Sequence, residues 1–194
     1  MMTSRIALLA LLPMVVAGAE ASAQSYAPQT LGDWTIAASK DGQGCFLTRS
    51  YPVDGNTSVL LGMDRDGSNH LSVLNDHWSI KQQQRVKLNF RLTRGGYPNH
   101  AAVGLAADGK RGFVSAFEAK FPDHFATSKA LHIDRGGVKV AQLDLTGSGA
   151  AVAELRRCVA AQTGPAPRAA SSGEGSSDIP RDPFAPEAKP KRRK

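Results

Sequence analysis

Short runs of alternating apolar and polar residues, separated by turns rich in glycine, aspartate and asparagine, fill most of this 194-residue chain. The clearest run is residues 86–93, in which every second side chain is apolar: Val86, Leu88, Phe90 and Leu92. A period of two is typical of a β-strand that buries one face in a core and exposes the other to solvent. The chain is therefore predicted to fold mainly as an antiparallel sheet.

Further strands follow from the same pattern and from the turn residues between them. They are predicted at residues 34–38, 45–51, 57–63, 70–74, 101–105, 112–118, 131–134 and 138–145. The segment Gly95-Gly96-Tyr97-Pro98-Asn99 is predicted to break the strand that precedes it. Hairpin-like repeats of this kind indicate a curved meander or a sandwich-like sheet.

Two helices are predicted beside the sheet, so the predicted fold class is α+β. A short helix covers residues 121–128, with Pro122 near its first turn. The last element is an amphipathic helix from about residue 149 to residue 161, with Thr146 or Ser148 as its N-cap.

The start of the chain has the pattern of an export signal. Residues 6–18, IALLALLPMVVAG, follow Arg5 and precede Ala21-Ser22-Ala23, which fits the small-x-small rule for signal peptidase. The apolar run is too short for a membrane span. We therefore predict a signal peptide over residues 1–23, a mature chain that begins near Gln24, and a periplasmic or secreted location.

Cys45 and Cys158 are the two cysteines of the chain. Cys158 borders the apolar stripe of the last predicted helix, which consists of Val152, Leu155 and Val159. Packing of that stripe brings Cys158 towards the sheet, where Cys45 could meet it. In an oxidising compartment the pair is predicted to form one disulfide bond. Two free thiols or a thiolate nucleophile are the alternatives, but no C-x-x-C spacing supports redox chemistry.

Composition divides the remaining chain into three parts. Residues 24–31 are interpreted as an N-terminal linker and residues 32–163 as the β-rich globular domain. Residues 164–194 are rich in Pro, Ala, Ser and Gly and are predicted to be disordered. They end in the basic run KPKRRK, for which peripheral contact with an anionic membrane is a hypothesis.

The formal net charge of +7 at pH 7 favours anionic partners such as lipid head groups or envelope polymers. No acidic residue occurs from His77 to Ala107, while this stretch contains the basic residues Lys81, Arg85, Lys87, Arg91 and Arg94. Lys87 and Arg91 should share the outward face of one strand, where their charges add. We predict these residues as the contact surface for an anionic envelope component or an unknown protein. Nucleic acid is not the expected partner.

The alternative interpretation of this basic stretch is a solvated face whose carboxylate partners come from other strands. Both interpretations place the charged side chains at the surface, as expected for lysine and arginine. They differ in whether the charges are neutralised within the protein, which only the strand pairing can decide.

The sequence lacks the common catalytic and cofactor-binding motifs. The five histidines occur singly, none at HExxH spacing, and there is no G-x-S-x-G elbow, phosphate loop or dinucleotide fingerprint. We therefore predict a non-enzymatic binding module without a metal or a cofactor. The alternative is a small secreted hydrolase, which a deep pocket holding a histidine beside a carboxylate and a hydroxyl would favour. Trp78 is the aromatic side chain most worth testing for ligand contact.

The segment Leu31-Gly32-Asp33-Trp34-Thr35-Ile36 combines a Gly-Asp-Trp strand with the nearby Cys45-Phe46-Leu47. This opening resembles the start of the β-rich domain in the invasion-associated locus B family. The closing LDLTGS of residues 143–148, with Leu155-Arg156-Arg157-Cys158, is similar to the final strand, helix and cysteine of several uncharacterised periplasmic proteins. The resemblance implies an envelope or secreted factor that supports host-cell interaction or stress tolerance, with no catalytic residues to carry over.

We expect the native exported protein to begin near Gln24, because the Ala21-Ser22-Ala23 stretch has the small residues that signal peptidase requires. Intact-mass measurement and N-terminal sequencing of protein purified from the periplasm or the medium check this. An uncleaved leader together with two alkylatable thiols would contradict the predicted location.

Overall fold

The computed structural model describes residues 26–162, whose backbone is organised around one antiparallel sheet of ten strands. The strands are β1 (Gln29–Leu31), β2 (Trp34–Ala38), β3 (Gly44–Tyr51), β4 (Thr57–Asp64), β5 (Asn69–Asn75), β6 (Arg85–Leu92), β7 (Gly95–Ala107), β8 (Lys110–Phe117), β9 (Ala130–Arg135) and β10 (Val138–Asp144). The helices are α1 (Val53–Asn56), α2 (Phe121–Thr127) and α3 (Ser148–Ala161). The predicted fold class, a mainly antiparallel sheet with a C-terminal helix, is confirmed.

The strand order is not that of a simple meander. Strands β1 to β5 pair in chain order, but β5 then pairs with β8, and the order continues through β7, β6, β9 and β10. The segment 76–84 carries the chain from β5 past two strands to β6. Gly104 of β7 accommodates this segment, because a Cβ atom there would lie 1.9 Å from the carbonyl oxygen of Lys81. Only glycine permits such a close approach of two backbones.

The sheet curves strongly onto itself. Strands β3 and β10 are separated by six strands in the sheet order. Nevertheless, the hydroxyl of Tyr51 on β3 donates a hydrogen bond of 2.6 Å to the carbonyl oxygen of Asp144 on β10. The hydrophobic core fills the inner face of this curve, and its largest fully buried side chains include Trp34, Phe90, Phe113, Phe121 and Phe125.

Helix α3 packs on β2 and β3 through a buried face that consists of Ala151, Val152, Leu155 and Cys158. Trp34 of β2 contacts Phe125 of α2 edge-on, with ring centroids 5.8 Å apart. Its indole N–H donates a hydrogen bond of 2.9 Å to the carbonyl oxygen of Thr146, just before α3. The tryptophan of the Gly-Asp-Trp motif therefore connects the sheet to α2 and to the start of α3.

The N-cap of α3 corrects the sequence prediction, because it is Gly147 and neither Thr146 nor Ser148. Gly147 has a φ of 83°, which the sharp turn from β10 into α3 requires and which glycine adopts without steric strain. Thr146 instead directs its hydroxyl to the carboxylate of Asp144, at 2.7 Å. The Ser148 hydroxyl donates to the carbonyl oxygen of Phe125, at 3.0 Å.

The predicted break at residues 95–99 is wrong. Strand β7 already begins at Gly95, which pairs with Leu92 across a tight turn. A shift in the β6–β7 register absorbs the extra residues, and Asn99 has a φ of 51° there. Pro98 fits into this irregularity because a bulge tolerates a residue that has no N–H to donate.

The sheet begins before the expected domain boundary. Strand β1 pairs with β2 and lies within residues 24–31, which the sequence suggested as a linker. Just ahead of it, the hydroxyl of Tyr26 donates a hydrogen bond to the carboxylate of Glu154 on α3. The predicted signal peptide, residues 1–23, and the predicted disordered tail, residues 164–194, lie outside the described residues.

Cys45 and Cys158 form a disulfide bond that joins β3 to α3 across a sequence separation of 113 residues. Both side chains are buried in the core. The predicted pairing is confirmed, and bonds of this kind persist in oxidising compartments. Within residues 26–162, no helix is long and apolar enough to cross a membrane.

We expect the variant Cys45→Ala/Cys158→Ala to lose about 2–5 kcal/mol of unfolding free energy, because the disulfide restrains the unfolded chain over a long loop. Urea unfolding followed by circular dichroism measures the loss. Val159→Ala, which truncates a half-buried side chain beside Cys158 and keeps the bond, is the matched control and should show a smaller loss. Equal unfolding midpoints for the double variant and the native chain would contradict this expectation.

Candidate functional site

The outer face of β6 carries most of the basic residues that the sequence singled out. Leu88 and Phe90 of this strand are buried in the core, so the alternate residues Arg85, Lys87 and Arg91 point outward, and all three are exposed. Along an extended strand, Arg85 and Arg91 are about 20 Å apart. The structure therefore aligns three of the predicted contact residues in one row.

The other two predicted residues lie outside β6, one before it and one after it in the chain. Lys81 is exposed in the segment 76–84, and Arg94 is exposed in the turn between β6 and β7. Lys81, Arg85, Lys87, Arg91 and Arg94 together are called the β6 basic surface below.

A carboxylate from the neighbouring strand neutralises part of this surface. Arg91 forms an ion pair of 2.9 Å with Asp134 of β9. For Arg91, the solvated face with a partner from another strand is thus what the structure shows. Lys87 lies opposite Ala101 of β7 and forms no ion pair with another described residue. Lys87 is therefore the centre of the uncompensated charge on β6.

On the inner side of β6 lies an open cleft of about 590 Å³, lined by residues of this strand, β8, the segment 76–84 and the β9–β10 hairpin. Its apolar lining consists of Trp78, Ile80, Val86, Leu88, Phe113, Val138 and Val140, and its polar side chains are His77, Ser79, Arg135 and Lys139. The rings of Trp78 and Phe113 are nearly parallel, at 8°, with centroids 5.9 Å apart. We call this the Trp78 cleft.

A second cleft, of about 820 Å³, shares His77, Trp78, Lys139 and Val140 with the first and reaches β3. Its lining includes a histidine, a hydroxyl and a carboxylate, namely His77, Tyr51 and Asp144. The hydroxyl of Tyr51 is engaged by the backbone of Asp144, and the carboxylate of Asp144 accepts hydrogen bonds from Thr146. Hydrogen bonds from Thr146, with the nearby charge of Arg49, hold the pKa of Asp144 below its usual range.

Arg49 is a largely enclosed cation that the sequence pattern did not single out. Its side chain is 12% exposed and forms ion pairs with Asp33, at 2.9 Å, and Asp144, at 3.2 Å. Its guanidinium also lies over the ring of Tyr51, 4.9 Å from the centroid, and donates to the carbonyl oxygen of Thr146. These contacts within the chain make Arg49 a noncovalent link between β3 and the turn before α3.

Another histidine, His124 of α2, lies beside the hydroxyl of Tyr97. The hydroxyl oxygen is 2.9 Å from Nδ1 of His124 and 3.5 Å from a carboxylate oxygen of Glu118. In hydrolase triads the carboxylate orients the histidine, which in turn activates the hydroxyl. Here the carboxylate contacts the hydroxyl itself, and burial, with the charge of Glu118, raises the pKa of Tyr97. This arrangement therefore differs from a triad in the partner that the carboxylate contacts.

Metal-ligating side chains do not gather in the described part of the chain: no three His, Cys, Asp or Glu residues there could hold a metal ion together.

Sequence reasoning placed Trp78 as a residue to test, but it missed the cationic side of its cleft. Arg135 follows the predicted strand 131–134 in the turn, and Lys139 lies in the predicted strand 138–145. Strand alternation would place Lys139 on the face opposite Val138 and Val140, so the local pattern does not predict that all three line one cleft. Nothing in the local sequence shows that this hairpin faces Trp78.

No protein-family model matches the chain, and no curated protein matches it. Among solved structures, the chain is similar to the crystal structure of invasion associated protein B from Bartonella henselae, with 13% sequence identity and a TM-score of 0.53. The similarity covers 68% of this chain and 97% of that one. At this identity it shows a shared fold, which agrees with the resemblance of the Gly-Asp-Trp opening.

All three tyrosines of the chain have a raised pKa. Burial raises the pKa of Tyr51 to about 12. Burial and the hydrogen bond to Glu154 raise that of Tyr26 to about 12. Because the folded state binds these protons more tightly than the unfolded state, their contribution to stability is complete below about pH 10 and is lost as the pH rises towards 12.

We expect the tyrosinate absorbance of the native protein to rise at a pH clearly above 10, whereas the urea-unfolded protein should titrate near pH 10. A pH titration at 295 nm, with circular dichroism to confirm that the fold persists, measures both. A tyrosine that ionises near pH 10 while the fold is intact would show that one of these hydroxyls is solvated.

Proposed function

We propose that this chain is a non-enzymatic periplasmic or secreted module that binds an anionic component of the cell envelope through the β6 basic surface. The observation that carries this proposal is the outward position of Lys87, which is exposed and forms no ion pair with another described residue. Arg85 and Arg91 extend the same row. Asp134 pairs with Arg91 and leaves the charge of Lys87 without an ion-pair partner among the described residues.

Long-range electrostatics support the same interpretation. The formal net charge of +7 raises the local concentration of anionic partners near the whole protein. Exposed lysine and arginine side chains contact such partners without the loss of solvation that buried charges suffer. Binding of this kind weakens as salt screens the charges, with a Debye length of about 8 Å at physiological ionic strength.

Three observations support the location. The first 23 residues have the pattern of an export signal. The disulfide bond between Cys45 and Cys158 is typical of proteins outside the reducing cytosol. The name of the structurally similar Bartonella henselae protein associates that protein with invasion, which is consistent with an envelope or secreted role for this fold.

Charge reversal tests the proposed surface. We expect Lys87→Glu/Arg94→Glu to be retained less on envelope fragments of the organism that encodes the chain, by roughly two- to fivefold for each reversed charge at low salt, because each exposed charge contributes up to about 1 kcal/mol. Sedimentation across a salt series measures the retention, and the difference between the variant and the native protein should shrink as the salt concentration rises.

Lys40→Glu/Lys120→Glu is the matched control, because it makes the same change in net charge at two exposed lysines outside β6. All these proteins keep the basic C-terminal run, so a contribution of that run cancels in the comparison. Equal retention of the two variants at low salt would remove the β6 basic surface from the proposal.

A further inference from the structure

We propose that the Trp78 cleft binds a lipid anion with a single aliphatic chain, the chain lying against the apolar wall and the anionic head meeting Arg135 and Lys139. This inference goes beyond the proposed function, because it concerns the inner side of β6 and different residues. The two proposals can therefore fail separately.

The apolar lining is extensive and comes from four parts of the fold. The segment 76–84 supplies Trp78, β6 supplies Leu88, β8 supplies Phe113 and β10 supplies Val140. Leu88 and Phe113 are almost completely buried, at 3% and 2% exposure, so they form the floor of the cleft. An aliphatic chain placed on this floor would remove apolar surface from water on both sides, at about 25 cal/mol per Å².

Val138 marks the mouth of the cleft. It is 69% exposed, and among residues 26–52 and 55–162 it is the only large hydrophobic side chain with such exposure. A single exposed valine is unremarkable on most surfaces. Here it continues the apolar wall outward from Val140, so a ligand that leaves the floor still contacts hydrocarbon.

The charges at the cleft select the head group. Arg135 and Lys139 line it and are both exposed, while its lining contains no aspartate or glutamate. Neither side chain forms an ion pair with another described residue. Lys139 donates only a hydrogen bond of 3.3 Å to the side-chain oxygen of Gln142. A carboxylate or phosphate ester beside these cations would meet complementary charge.

The size and chemistry of the cleft distinguish a lipid chain from a peptide. The volume of about 590 Å³ lies within the range of about 300–1,000 Å³ that is usual for small-molecule sites. A peptide on this floor would bring backbone N–H and C=O groups against valine, leucine and phenylalanine side chains. Polar groups without partners in such a place are strongly unfavourable, whereas an alkyl chain has none.

Dodecanoate, kept below its critical micelle concentration, is the probe. We expect saturable binding of one molecule per full-length protein by isothermal titration calorimetry, with a change in tryptophan emission. That change reports on Trp78, because Trp34 is completely buried at the helices. Dodecan-1-ol, which lacks the charge, should bind at least fivefold more weakly, and acetate, which lacks the chain, should not bind at the same concentration.

Two variants locate the site. Val138→Glu places a negative charge at the mouth without disturbing the core and should weaken dodecanoate binding at least tenfold. Arg135→Glu/Lys139→Glu should weaken dodecanoate at least tenfold while changing the affinity for dodecan-1-ol less than twofold. Lys40→Glu/Lys120→Glu makes the same change in net charge at two exposed lysines outside both β6 and the cleft, and should stay within twofold of the native affinity.

The proposal is overturned if dodecanoate binding does not saturate, or if acetate binds equally well. It is also overturned if Val138→Glu binds with native affinity, or if the Lys40→Glu/Lys120→Glu control loses as much affinity as Arg135→Glu/Lys139→Glu. Circular dichroism of each variant confirms that the fold is native before the affinities are compared.

Discussion

Two helices, α2 and α3, cover the inner face of a ten-stranded sheet, and this constraint determines the rest of the fold. Strands lie about 4.8 Å apart and a helix is about 10–12 Å wide, so ten strands span roughly 43 Å and two adjacent helices cover about half of that. The sheet compensates by curving until Tyr51 on β3 reaches Asp144 on β10. The segment 76–84 then closes part of the remaining face with Trp78. The Trp78 cleft is the place where this cover is incomplete.

Contacts at the β2–β3 end of the sheet fix the positions of α2 and α3. The disulfide bond holds α3 on β3, and Trp34 contacts both α2 and the turn before α3. Arg49 binds the same turn through Asp144 and the carbonyl oxygen of Thr146. A covalent bond, an aromatic contact and a largely enclosed cation thus act within one small region. All of them act at the β2–β3 end of the sheet, whereas the Trp78 cleft lies at β6, β8 and the β9–β10 hairpin.

Local patterns in the sequence were sufficient for the elements but not for their arrangement. Alternation predicted β6, and the apolar stripe beside Cys158 predicted α3 and the disulfide. The pairing of β5 with β8 could not be derived, because it depends on how the segment 76–84 crosses the sheet and on the absence of a side chain at Gly104. The sequence located the basic stretch for the same local reasons. It could not show that Asp134 neutralises Arg91, because Asp134 of β9 lies more than forty residues further along the chain.

The two sides of β6 differ in the chemistry of the partner that each can bind. The outer side offers separated charges along a flat strand, so it can distinguish partners by charge density and is sensitive to salt. The inner side offers a hydrocarbon wall with cations at its mouth, so it requires a chain and a head group in one molecule. Since Lys87 and Leu88 point to opposite faces of the same strand, a single small ligand cannot contact both sites. An anionic lipid surface could engage the outer side while a separate lipid molecule occupies the cleft. β6 would then take part in two kinds of binding, to a lipid surface on its outer side and to one lipid molecule on its inner side. The alternation of side chains along the strand keeps the two sites on opposite faces.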